Sequence, residues 1–379
     1  MLIQENHRLS PYTTLGIGGT ARYFASPSTK DELAEVLRFV HDNELRCFIL
    51  GGGSNTLISD DGFDGIVIHP AMKDVTWETP DADGYVTVHV DAGCTFDDVV
   101  VEAVKRDLAG IESMSGIPGT MGGAAVQNIG AYGQELADVF VEAEVMDLVT
   151  GETSLIKKED MAFGYRTSAL KNAENTRIVL RVSLRLAPFD VDSAVRVAAE
   201  HGFAKLTLVS PKSASDMRRR VLETRRSKGM CYDVNDKDTH SVGSFFVNPV
   251  VSQNDASRIN AAYILSNGKS MPMFSVEGGV KLSAAWLIEQ AGFSRGYLCD
   301  GAALSARHCL AIINPGNAKS ADVIALANRL ARTVAFKFKV RLSPEVIYLT
   351  RTGIEPVPLD FENLELDNNV RNSAVSAKC

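Results

Sequence analysis

Apolar residues recur at three- and four-residue intervals at Leu33, Val36, Leu37 and Val40, directly after a Thr29/Glu32 pair with capping-box spacing. That pattern predicts an amphipathic helix. The apolar run 46–50 then reads as a short strand ending in Gly51-Gly52-Gly53-Ser54-Asn55, and 65–69 as a second strand. Residues 85–91 alternate as a third strand, before a helix from about Thr95 to Leu108 with Gly110 as its stop. Alternation rich in β-branched residues returns over 141–149 and 176–186, split by Thr150-Gly151, and predicts antiparallel strands. Helical periods follow at about 214–227, 253–264, 282–291 and 320–336, then a strand at 346–350. The fold class this implies is α+β.

With 379 residues, 45% of them hydrophobic, the chain can bury cores for two or three domains. The main boundary falls near residue 228, where a basic helix gives way to new strands. A net charge of -8 argues against general affinity for nucleic acid or an anionic membrane. The run Arg218-Arg219-Arg220, Arg225-Arg226, Lys228 has no aromatic interleaving and reads by default as a solvated helix face, with Lys228 the exception. Six cysteines contain no C-x-x-C pair, and no two histidines have H-x-x-x-H spacing, so no metal site is expected. The N-terminus lacks an apolar signal region and no window approaches a membrane span, which makes the expected location cytoplasmic.

Residues 116–135 carry the chemistry. Gly116, Gly119, Gly122, Gly123, Gly130 and Gly133 lack the Cβ that holds a ligand away from main-chain N–H groups, and Gln127, Asn128 and Tyr132 stand among them. Gly51–Asn55 follows an apolar strand and offers a second concave anion site, with donors from Ser54 and Asn55. Two such loops imply a dinucleotide. Neither continues into Gly-Lys-Ser/Thr, so ATPase chemistry has no support; Gly16-Ile17-Gly18-Gly19-Thr20-Ala21 fits a dinucleotide fingerprint only formally, with Pro27 where its helix should run.

Seven ordered blocks give the chain a close resemblance to the UDP-N-acetylenolpyruvoylglucosamine reductase family. They are 51–55, 116–119 with 127–133, 164–166, 243–249, 285–288, 317–319 and 344–346. The resemblance implies an FAD-binding fold of the vanillyl-alcohol-oxidase (PCMH) type. Its subdomains would be 1–72 and 73–227, followed by a substrate domain 228–345, a strand 346–352 returning to the first subdomain, and a disordered tail 356–379. Residues 51–57 contain no His or Cys, so the FAD should be non-covalent. Its expected contacts are Gly51, Gly52, Gly53, Ser54, Asn55, Thr56, Gly116, Ile117, Pro118, Gly119, Gly122, Gly123, Ala124, Gln127, Asn128, Gly130, Ala131 and Tyr132.

The implied reaction moves a hydride from NADPH to FAD and then from flavin N5 to C3 of the enolpyruvyl ether on a UDP-sugar, giving UDP-N-acetylmuramate for peptidoglycan. By the same resemblance Ser244 gives a proton to C2, Arg166 holds the substrate carboxylate and Glu345 polarises it or holds a water there. Tyr165, Lys228 and Asn248 would contact substrate, and Phe203 stands where long-branch members place a substrate-closing tyrosine. The partners expected are the UDP-sugar and NADPH, with no nucleic acid and no membrane, and the protein acting as a monomer. Two alternatives stay open: an FAD-dependent alcohol or hydroxy-acid oxidase or dehydrogenase of the same fold, and a UDP-sugar or nucleotide-binding protein without flavin.

Overall fold

A computed structural model describes residues 3–171 and 176–361; positions 362–379, most of the expected tail, lie outside the described residues. The chain divides into two units, one of Met1–His7, Ala21–Gly52 and Asp64–Cys231, the other of Arg8–Thr20, Gly53–Phe63 and Tyr232–Cys379. The first 72 residues therefore do not share one core. Leu15, Ile17 and Leu57 are buried in the core of the second unit, where Thr56–Ile58 pairs in parallel with Ile347–Leu349.

In the first unit, helix Lys30–Asp42 buries Leu33, Val36 and Leu37. Its Thr29 hydroxyl accepts from the Glu32 N–H at 3.1 Å. The return arm of the box reaches one residue further back than expected, because Ser28 offers Glu32 both its N–H, at 2.6 Å, and its hydroxyl. Strands Cys47–Ile49 and Phe63–Ile68 pair in parallel. A larger sheet runs in the order Thr153–Lys157, Phe140–Asp147, Arg177–Pro188, Val86–Asp91, Val75–Trp77, antiparallel throughout. Its Val88, Val90, Val182 and Leu184 share a core with Phe96, Val100 and Ala103 of helix Phe96–Lys105. Burying each valine, leucine or phenylalanine side chain among these contributes roughly 1.5–3 kcal/mol.

That helix stops short of the expected Leu108. Asp107 takes a left-handed φ of 52°, and Leu108–Ala109 becomes a strand against Ala187–Pro188. Helix Val191–Glu200, absent from the pattern reading, starts where the Asp190 carboxylate accepts from the Ser193 N–H at 2.8 Å.

The second unit is built on helix Ser320–Phe338, whose Leu326, Leu330, Ala331 and Val334 are fully buried. Asp60 caps it from far back in the chain, accepting from the Ser320 N–H at 3.1 Å and hydroxyl at 2.7 Å. Helices Gln253–Asn267 and Ala284–Ala291 and short antiparallel strands complete the unit. Among the described residues no helix is long and apolar enough to cross a membrane.

Candidate active site

The glycines of the first unit leave a bare main-chain cradle. A Cβ on Gly52 would stand 2.6 Å from the Gly119 Cα, and one on Gly51 would lie 3.0 Å from the Thr120 hydroxyl and 3.7 Å from the Gly123 Cα. Gly123 is exposed at the start of helix Met121–Gln127, whereas Gly122, Ala124 and Gly130 are buried. The smallness of those three serves packing: a Cβ on Gly122 would meet the Ala92 Cβ at 2.9 Å, and one on Gly130 the Gln134 carbonyl at 2.7 Å.

Gly116 opens the loop at φ 76°, and its N–H donates to Asp97 at 2.6 Å. The Asp97 carboxylate also accepts both prongs of the Arg218 fork, at 2.6 and 2.7 Å. Burial pushes the Asp97 pKa up, but Arg218 and the Gly116 N–H outweigh it and hold the group below its ordinary value. Arg220, in turn, binds Asp216 and the Leu206 carbonyl. Arg218 and Arg220 are thus structural members of the first unit, which corrects the reading of a solvated face for these two, while Arg219 and Arg226 are exposed. Beside Gly116 the Arg225 Nε is buried with no hydrogen-bond partner among the described residues. A bare cradle and an orphaned guanidinium donor suit a flat, anionic cofactor.

Ile117, Pro118, Gln127 and Ala131 are half-buried around this loop. Tyr132 has a left-handed φ of 52°; its ring stands edge-on to Phe203 at 5.1 Å and 5.9 Å from the Lys228 ammonium. Lys228 is exposed as a residue, yet desolvation of its ammonium, then Arg225, lowers its pKa. Burial raises the pKa of Tyr132.

Tyr165 and Arg166 form the tip of a two-residue turn between Gly164 and Thr167, which exchange N–H···O bonds of 3.1 and 3.2 Å. Only Arg166 of the pair has positive φ, 57°, which makes the turn type II with arginine where glycine is usual. The guanidinium lies 5.1 Å from the Tyr165 ring and donates to the Gly130 carbonyl at 2.6 Å. Asn128, expected at the cofactor, is 1% exposed and gives its side chain to the protein instead. Its Nδ2 donates to the Gly164 carbonyl and the Glu135 carboxylate, both at 3.0 Å, and its Oδ1 accepts from the Ala137 N–H.

In the second unit a Cβ on Gly53, at a φ of 59°, would collide with the Tyr12 carbonyl. Ser54 and Asn55 are half-buried; Thr56 starts a strand and is buried. The Asn55 side chain donates to the Glu345 carbonyl at 3.2 Å. The Glu345 N–H donates to the Phe245 carbonyl at 2.9 Å, and Phe246 bridges Pro344 in antiparallel fashion. Ser244 therefore precedes the residue paired with Glu345, so two of the expected catalytic residues sit on neighbouring extended segments. Phe245 and Phe246, 0% and 1% exposed, anchor one segment, and Gly243 enters it at φ 72°. Asn248 accepts from the Ala284 N–H at 2.9 Å, which leaves its amide nitrogen for other use.

Residues 235–349 match the family described as UDP-N-acetylenolpyruvoylglucosamine reductase, C-terminal domain, and 21–155 match that described as FAD binding domain. A relative from Thermobifida fusca named UDP-N-acetylenolpyruvoylglucosamine reductase is 38% identical over 348 residues, 91% of this chain and 97% of the relative. One of the same name from Mycobacterium sp. (strain MCS) is 40% identical over 90% of this chain and 95% of the relative. The solved reductase of that name from Thermus caldophilus superposes with a TM-score of 0.60 at 27% identity, covering 92% of this chain and 98% of the other.

Proposed function

The chain belongs to the UDP-N-acetylenolpyruvoylglucosamine reductase family, and on that premise we propose how its own side chains share the work. The reaction is the FAD-dependent reduction, with NADPH as reductant, of the enolpyruvyl ether of a UDP-sugar to UDP-N-acetylmuramate. FAD, when bound, supplies the hydride. Everything else falls to the protein.

The Arg166 fork holds the substrate carboxylate and stabilises the charge that grows there as C3 gains hydride. Ser244 delivers the proton to C2: a serine hydroxyl is a feeble acid, yet a carbanion takes its proton when the two are held in line. Glu345 polarises the carboxylate or fixes a water beside it. Lys228 is suited to a phosphate or carboxylate, since an anion beside the ammonium offsets the desolvation that lowers its pKa. Tyr165 and the amide nitrogen of Asn248 contact the sugar or its carboxylate. The enzyme acts in the cytoplasm as a monomer.

The observation that supports this reading is the bond from the Glu345 N–H to the Phe245 carbonyl, which pairs the backbone of residue 345 with the segment that carries Ser244. An oxidase acting on alcohols is the weaker reading, because relatives covering nine-tenths of the chain bear the reductase name. Ser244→Ala tests the assignment by stopped flow. Reduction of the flavin by NADPH should stay fast while its reoxidation by the enolpyruvyl substrate slows about 10²–10⁴-fold; equal loss in both halves would remove Ser244 from proton delivery.

A further inference from the structure

The strain at Arg166 needs a cause. A residue with a Cβ resists left-handed backbone, and the third position of a type II turn normally selects glycine. Here it carries the guanidinium assigned to the substrate carboxylate, at φ 57°. Such strain persists where the surroundings over-determine it, and two side chains bracket this turn. Asn128 donates from Nδ2 to the Gly164 carbonyl at 3.0 Å, the same oxygen that closes the turn with the Thr167 N–H. Lys171 donates from Nζ to the Arg166 carbonyl at 2.8 Å.

Asn128 is itself locked. It is 1% exposed, sits at a left-handed φ of 45° that asparagine tolerates well, and has its other bonds to Glu135 and to the Ala137 N–H. The Gly130 carbonyl, which takes the Arg166 Nη2 at 2.6 Å, belongs to the hairpin that runs on to Glu135.

We propose that Asn128 and Lys171 are positioning residues for the reduction of substrate, holding the Gly164–Thr167 turn in the strained form that aims the Arg166 guanidinium. This rests on the reading of Arg166 as the carboxylate clamp. Neither residue touches the reacting atoms. Asn128, in particular, serves the substrate half of the reaction from inside a segment whose glycines mark it as cofactor-binding.

Asn128→Asp tests this: it keeps shape and the acceptor for Ala137 while replacing the one nitrogen that donates to both the Gly164 carbonyl and the Glu135 carboxylate with a carboxylate oxygen. Flavin content and reduction by NADPH should stay within about two-fold of wild type, while reoxidation by the enolpyruvyl substrate slows between about ten- and a hundred-fold. The deficit should narrow as the pH is lowered, because the introduced carboxylate faces the Glu135 carboxylate and a proton taken up by the pair removes their repulsion and restores a donor. Loss of flavin, equal slowing of both halves, or unchanged reoxidation would each overturn the proposal. Lys171→Met should slow reoxidation in the same selective way; it decides alone if Asn128→Asp fails to fold, and unchanged reoxidation then refutes the idea. Arg166→Lys separates the two levels: if it leaves reoxidation intact, the functional reading fails, whereas slow reoxidation in Arg166→Lys with normal Asn128→Asp and Lys171→Met defeats only this inference.

Discussion

Asp97 makes a demanding test, since one carboxylate ties the start of the glycine loop to a helix more than a hundred residues away. It accepts the Gly116 N–H at 2.6 Å and both prongs of Arg218. Asp97→Asn keeps one acceptor and turns an amide donor against the guanidinium. Breaking a fully buried pair from one side costs about 3–5 kcal/mol. Side-chain exposures of 27% for Asp97 and 16% for Arg218 let water recover part of that, so about 3 kcal/mol is expected. In a unit of this size that corresponds to a fall in Tm of roughly 6–12 °C, read by calorimetry of the flavin-loaded protein.

The pH dependence has a definite sign. The folded pKa lies below the ordinary 3.8, so the carboxylate stabilises the fold above 3.8 and loses that contribution as pH falls through the folded value. The gap between wild type and Asp97→Asn should be full at neutral pH and close only in more acid solution. A variant melting within about 1 °C of wild type at neutral pH, or a gap that widens on acidification, would show that the bidentate pair does not hold the loop.

Gly52→Ala should lower both flavin content and the stability of the first unit, because its Cβ would stand 2.6 Å from the Gly119 Cα, a contact that only backbone movement relieves; stoichiometric flavin absorbance at wild-type Tm would contradict the close approach of the two loops. Acid denaturation should release all the yellow chromophore into the supernatant, as residues 51–57 offer no His or Cys for a covalent tether; colour retained in the precipitate would count against non-covalent binding.

Local periodicity made the helices easy to read. Ala214–Ser227 and Gln253–Asn267 fall where their patterns place them, since caps and amphipathic spacing are written within a dozen residues. The short strands of the second unit, such as Leu298–Cys299 and Ile312–Ile313, were not legible, because two residues carry no period. Among site residues, Ser244 and Glu345 were named through their motifs, but their closeness depends on pairing between segments a hundred residues apart. The pairing of Asp97 with Arg218 left no local trace for the same reason. Asn128 shows the opposite limit: composition marked its neighbourhood as ligand-binding, while only the three bonds around its amide reveal that it braces a turn.

Because Leu15, Ile17 and Leu57 complete the second core, a clone beginning at Tyr232 would omit three of that core's apolar plugs and the parallel partner of Ile347–Leu349. The stretch recognisable as a C-terminal module is therefore not a self-sufficient piece. Recombination between relatives would have to carry Arg8–Thr20 and Gly53–Phe63 along with it, because these early segments fold with the far end of the polypeptide.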